Sequence, residues 1–242
     1  MFLMENVPGI LWKRHESYLN AFYKMGVDAG YNLFRPITID ARNYGLPQAR
    51  KRVFILGLCK SIGNNEIQWP PSPTHGSEKA RRSNKTLQKW VNCRSAFKRS
   101  PKGDINNIHM KHGAALIEAF KNTPINGGSR QDSGRTLPCH ETHNGHKDVY
   151  GRIDPSKPAP TMTAGCSNPS KGRFVHPTQH HGITMRQAAR IQTFPDTFAF
   201  YGGITAASRQ IGNAVPVKLA EILIEHLKAH HSSSRNLGTH ID

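Results

Sequence analysis

The sequence predicts an α/β fold: the closing strands of an open sheet, a loop-rich insert, and a helical return to the sheet. Three observations predict it. Strand, helix, strand and strand patterns follow one another within the first sixty residues. From about residue 62 to residue 150 the chain turns basic and rich in Ser, Asn and Gly, with Pro70, Pro71 and Pro73 breaking it. An apolar helical period then runs close to the carboxyl end.

Residues 2–7 (FLMENV) are a short apolar run that reads as a buried strand ending in an acid and an amide. His15–Ala29 places Leu19, Phe22, Tyr23 and Val27 on one helical face, with Gly30 as the stop. Arg35–Asp40 and Arg52–Leu58 are β-branched and aromatic runs, hence two further strands. A parallel sheet needs more strands than these to bury both faces, so residues 1–61 are expected to expose apolar edges and to associate with a complementary chain. Residues 62–183 form the separate loop-rich module, closing on the Pro-spaced extended segment RIDPSKPAPTMTAG (152–165). Thr184 opens a short helix with Gln187 in capping-box position and Pro195 ending it. The last helix, about Val215 to His230, takes Pro216 in its first turn and aligns Val215, Leu219, Ile222, Leu223 and Leu227. Residues 184–231 are thus expected to return to the sheet, leaving 232–242 as a frayed tail.

Composition narrows the function. The chain has 242 residues, 36% of them hydrophobic, and 33 Lys+Arg against 16 Asp+Glu for a net charge of +17. No apolar run approaches the ~18 residues of a membrane span, and MFLMENVPGI lacks the flanks of a signal peptide. Cys59, Cys93, Cys139 and Cys166 form no CxxC pair and read as reduced thiols of a cytoplasmic protein. Membrane, secreted and fibrous classes are excluded. Between Lys79 and Arg152 stand 15 Lys+Arg and 5 Asp+Glu, a concentration of charge that favours a polyanionic partner, nucleic acid ahead of a membrane surface.

Several residues are candidates for chemistry. Glu5 and Asn6 end the first strand, where open α/β sheets place ligand-binding groups; a carboxylate capping a loop is the plainer reading. Gln48-Ala49-Arg50-Lys51-Arg52 precedes a strand, and arginines two apart on an extended chain point the same way, so Arg50 and Arg52 are candidates for one cleft. Guanidinium forks suit phosphate oxygens or a base carbonyl, although such a run is also an ordinary solvated strand entry. Cys139, His140, His143 and His146 have zinc-like spacing, but no second cysteine cluster completes a structural site, and no metal is predicted.

In their order, these fragments resemble the C-terminal portion of the DNA (cytosine-5) methyltransferases. FLMENVPG is similar to that family's Glu-Asn-Val motif and YGLPQARKRVFILG (44–57) to its Gln-x-Arg-x-Arg motif. RIDPSKPAPTMTAG resembles the Pro-rich motif that closes the target recognition region. TMRQAARIQTFPDTFAFYG (184–202) and RQIGNAVPVKLAEIL (209–223) resemble the last block. The basic insert falls where the family keeps its target recognition domain. The resemblance implies an incomplete Rossmann-like sheet with an inserted recognition domain.

It also implies roles. In the family a Cys thiolate adds to C6 of a flipped cytosine, and the resulting enamine attacks the methyl of S-adenosylmethionine. Glu5 matches the carboxyl group at N3 and the exocyclic amine, which a dry pocket would keep protonated as a donor. Arg52 matches the arginine at the base O2; Arg50 would position the thiolate or its surroundings, and Gln48 would brace the strand beside the substrate, with Asn6. Asn213, Ala214 and Val215 match the stretch beside the methyl donor. Arg81, Arg82, Arg94, Arg99 and Arg135 are candidates for contacts with double-stranded DNA.

The family's Gly-rich cofactor turn and Pro-Cys-Gln nucleophile loop are absent from the sequence; Pro138-Cys139 is followed by His140 and lies beyond the recognition region. The chain is therefore expected to carry only part of the S-adenosylmethionine site and to need an N-terminal half supplying the cysteine. A split-enzyme subunit and a fragment both fit this, in a bacterial or phage setting. A noncatalytic sequence-specific DNA-binding protein is the alternative, though it has no need of the base-pocket groups.

Overall fold

The computed structural model describes residues 1–62, 67–133 and 148–236. Its sheet is built around β4 (Lys51–Cys59). Strand β1 (Phe2–Asn6) lies along one edge of β4, and β2 (Tyr31–Leu33) and β3 (Ile37–Asp40) share the other. All three pairings are antiparallel, so within the expected α/β sheet this part carries no parallel neighbour of β4 among the described residues. The reason lies in the connection: residues 41–50 between β3 and β4 hold one 3-10 turn, Ala41–Tyr44, and are too few for the helical crossover that a parallel neighbour requires. β2 is a strand that the sequence pattern did not separate from the run that follows it. The helix α1 (Glu16–Asp28) carries the chain from β1 to β2, which run the same way on either side of β4.

Residues 53–58 of β4 are all buried, so both faces of the strand are covered. On one face Phe54, Leu56 and Leu58 pack against the terminal helix α6 (Val217–Asn236) through Leu219, Leu223 and Leu227. On the other, Phe2 packs edge-on against Phe22 of α1 at 6.0 Å. Neither β1 nor α1 contains a buried residue, and Trp12, Tyr18 and Met25 are exposed.

The insert is less irregular than its composition predicts. It contains a two-stranded parallel pair, β5 (His75–Gly76) and β6 (Gln88–Lys89), and the helices α2 (Glu78–Ser83) and α3 (Ala114–Asn122). Its core joins Cys93, Ile153, Met162 and Phe174 to Met185, Ala188 and Ile191 of α4 (Met185–Ile191) and to Ala207 and Ile211 of α5 (Gly203–Asn213). Residues 184–231 therefore do not return to the sheet as a unit. Helices α4 and α5 complete the insert, and α6 alone packs on the strands. The terminal helix also continues to Asn236, past the point where a frayed tail was expected.

The capping box at Thr184 and Gln187 forms as predicted. Helix α4 ends at a corner where Thr193 adopts a left-handed φ of 62° and its hydroxyl accepts the N–H of Lys218, at the start of α6.

A second class of support is cationic. Loops leave carbonyl groups without ladder partners, and a guanidinium offers five donors. Arg152 is 0% exposed and donates to the carbonyls of Phe120, Thr123, His176 and Gln179. Arg186 forms a buried pair with Asp104 at 2.6 Å, and Arg190 bonds Asp196 and the carbonyls of Ala96, Lys98 and Arg99. Part of the basic excess thus holds loops together instead of facing a partner.

Candidate base pocket and DNA-facing surface

The register brings two of the candidate residues together. Glu5 lies opposite Phe54, and Ile39 lies opposite Arg52, so Glu5, Arg52 and the α6-facing apolar residues share one face of the sheet. Glu5 and Arg52 are diagonal neighbours at the carboxyl end of β1, and diagonal pairs lie within reach of long side chains. Arg52 Nε stands 2.9 Å from Glu5 Oε1, with the side chains 12% and 24% exposed. That oxygen accepts no aligned hydrogen bond among the described residues. Burial pulls the Arg52 pKa below its ordinary value, and the Glu5 carboxylate pushes it back up. A partly desolvated carboxyl group and guanidinium at a strand end are suited to gripping a planar polar ring by its edge.

Asn6 is half-buried and accepts the Val7 N–H at 2.8 Å, closing the strand. Arg50 departs from expectation. It is 1% exposed and donates to the carbonyls of Met162, Gly212 and Ala214 at 2.8, 2.8 and 2.9 Å. Its pKa falls to about 10, first through burial and then through the neighbouring Arg52, with Glu5 and Cys166 opposing. Arg50 is near the pocket but occupied inside the protein, tying β4 to the Pro-rich segment and to the end of α5. Gln48 is likewise fully buried: its amide donates to Gln192 Oε1 at 2.7 Å and accepts the Met162 N–H at 2.7 Å. Bracing is visible; an open substrate surface is not.

Sequence reading missed Gln192, which completes this scaffold. Its amide donates to the carbonyls of Ile211 at 2.6 Å and Ala214 at 3.2 Å. The stretch Asn213–Val215 is therefore fixed from beneath by Arg50 and Gln192, with the Asn213 side chain exposed and Val215 packed against the sheet core. Gly212 sits flush on the preceding segment: a Cβ there would come within 2.2 Å of Ala164 N. The only sequence signal for Gln192 was its place in the block QTFPD.

The candidate DNA contacts are scattered. Arg81 is half-buried on α2 and weakly bonded to the Leu87 carbonyl; Arg82 is exposed and paired with Glu78. Arg94 and Arg99 are exposed. Arg135 and the Cys139–His146 cluster lie outside the described residues. Among the described residues no group of His, Cys, Asp or Glu is arranged to hold a metal ion, and no helix is long and apolar enough to cross a membrane.

Beside the insert core the histidines cluster. His109 and His181 stack at 3.9 Å, and His176 Nδ1 accepts the N–H groups of Thr178 and Gln179 at 3.2 and 3.0 Å. Those bonds need an unprotonated Nδ1. Burial, then His181, Arg152 and His109, lower the His176 pKa to about 4. The unfolded chain then binds the proton first as pH falls, so stability is complete above about pH 6.5 and drops toward pH 4. Urea unfolding at pH 7.5 and pH 5 is expected to differ by about 2 kcal/mol from this group; equal midpoints would contradict the neutral role of His176.

The fold is that of the methyltransferases, as two superpositions show. The chain superimposes on a prophage-encoded E. coli protein described as a DNA modification methyltransferase with a TM-score of 0.64 at 21% identity, over 96% of this chain and 69% of that one. The methyltransferase EhMeth of Entamoeba histolytica matches with a TM-score of 0.54 at 16% identity, over 94% and 62% of the two chains. Residues 1–229 match the model of the C-5 cytosine-specific DNA methylases, and the chain belongs to that family. The type II methylase M.HgiDII of Herpetosiphon aurantiacus is 31% identical over 93% of this chain and 63% of its own length. The type II methyltransferase M1.BsuMI of Bacillus subtilis is 32% identical over 93% and 50%. The chain thus spans between half and two thirds of the length of these curated relatives.

Proposed function

We propose that these 242 residues form the cytosine-holding wall and the DNA-gripping module of a DNA cytosine-5 methyltransferase, and that the attacking thiolate comes from polypeptide outside them. The observation that carries the reading is the Glu5–Arg52 pair at 2.9 Å on one sheet face. Arg52 would hold the base O2, and Glu5 would meet the charge developing at N3 while donating to or accepting from the base edge. S-adenosylmethionine supplies the methyl group when bound. The exposed amide of Asn213, on backbone fixed by Arg50 and Gln192, suits its polar groups and would form one side of the donor site.

The chemistry of the cysteines supports an external nucleophile. Burial raises the thiol of Cys93 to about 12 and that of Cys166 to about 11. Cys59 closes the far end of β4, about 24 Å along the strand from Arg52. Cys139 lies outside the described residues.

The test is transfer of a labelled methyl group to duplex DNA by the chain alone and by the chain mixed with the portion of a relative that precedes its Glu-Asn-Val motif. Transfer only in the mixture is expected. Transfer by the chain alone would overturn the need for a complement, and DNA binding without transfer in the mixture would favour the noncatalytic DNA-binding reading. Binding itself is expected to weaken steeply with salt, with a log–log slope of about −3 or steeper, because phosphate contacts release counterions. A salt-independent affinity measured by fluorescence anisotropy would remove the phosphate-gripping role of the module.

A further inference from the structure

A cleft of 680 Å³ lies apart from the base pocket, between the start of the insert and the Pro-rich segment. One wall carries Ser77, Arg81, Lys89 and Trp90; the other is Ser156–Pro158. The walls are held to each other by the Cys93 N–H, which donates to the Lys157 carbonyl at 3.0 Å. Trp90 is fixed from below. Its indole N–H donates to Asn43 Oδ1 at 3.0 Å, and the Arg42 guanidinium stacks on its ring at 4.1 Å.

The electrostatics of this cleft are one-sided. Arg81, Lys89 and Lys157 line it, against one carboxylate, Glu78, which is already paired with Arg82. Lys157 pairs with Asp154 at 3.0 Å, yet its side chain is 74% exposed, so that ion pair exchanges readily for another anion. Cations around an aromatic ring reject apolar ligands and metal ions. They suit a phosphate joined to a sugar or base, the combination used by surfaces that follow a nucleic-acid backbone.

Position selects the source of that phosphate. Arg42 stands two residues beyond the end of β3, Asp40 pairs with Lys51, and Ile39 pairs with Arg52. The cleft, reached through Arg42 and Trp90, and the Glu5–Arg52 pair therefore lie at the same end of the sheet, the cleft beyond β3 and the pair on β4 and β1. We propose that the cleft holds a nucleotide of the DNA outside the extruded cytosine, its phosphate among Arg81, Lys89 and Lys157 and its sugar or base against Trp90. This rests on the function proposed above and adds a second anchor on the same DNA.

The test uses the full chain, a duplex oligonucleotide, free deoxyadenosine monophosphate and poly-glutamate. DNA is expected to quench tryptophan emission, and Trp90→Phe to remove that response. Lys89→Ala with Lys157→Ala is expected to weaken duplex binding about five- to tenfold and to make the salt slope shallower by about 1 to 2. Lys89→Glu, an exposed site outside the core, should weaken binding with unchanged thermal unfolding, which separates contact from misfolding. Wild-type binding with unchanged affinity and slope in these variants overturns the cleft alone. A wild type that binds no DNA at low salt overturns the proposed function as well. A response to the mononucleotide or to poly-glutamate with none to DNA overturns the assignment to DNA.

Discussion

Glu5→Gln is expected to lower methyl transfer by about 10²- to 10⁴-fold in the complemented enzyme, the range for losing a positioned proton donor or acceptor. DNA affinity should stay within about twofold, because phosphate contacts dominate it. The substitution keeps the side chain's shape and one oxygen for Arg52, so the wall of the pocket survives. What it removes is a group that can change its protonation as charge builds on the ring, an interaction made in the transition state. Transfer and binding are read separately, by initial rate at saturating DNA and by anisotropy. Equal losses in both would make Glu5 a structural partner of Arg52.

Arg50→Met is expected to cost about 3–5 kcal/mol of stability, the range for removing one member of a buried charged network. The carbonyls of Met162 and Gly212 lose the Arg50 donor, that of Ala214 keeps only the 3.2 Å bond from Gln192, and a thioether replaces none of these bonds. For a chain of this size the midpoint should drop by about 10 °C in a thermal scan. Arg50→Lys should recover little, because one ammonium cannot span three acceptors that a planar fork reaches together. A loss below about 1 kcal/mol would mean that the loop relaxes onto other donors.

These two residues show how far the sequence could be read. A short apolar run and two β-branched, aromatic runs made β1, β3 and β4 legible, and the capping box marked α4. The antiparallel placement of β4 was written in the ten-residue connection before it, a cue of length rather than of residue type. The pairing of Glu5 with Arg52 was legible as motif order, and the register supplied the face. Arg50 misled because an extended chain points Arg50 and Arg52 to one side without saying what waits there: for Arg50, loop carbonyls 112 to 164 residues away in sequence. Contacts of that span leave no local periodicity. The same holds for Arg152, Arg186 and Arg190, whose charges counted as a surface signal until burial located them. Helix α5 escaped because Gly203, Gly212 and Asn213 depress helix propensity, and tertiary packing overrides it.

At Gly212 the end of α5 rests bare backbone on bare backbone, with Ala164 N within 2.2 Å of where a first side-chain carbon would be. The smallest possible wedge, one methyl, would have to lever the helix end away and carry Asn213 with it. Constraint on the proposed donor side is thus felt at a residue with no functional group at all. A saturation screen of variants is expected to find this position among the least forgiving in the chain.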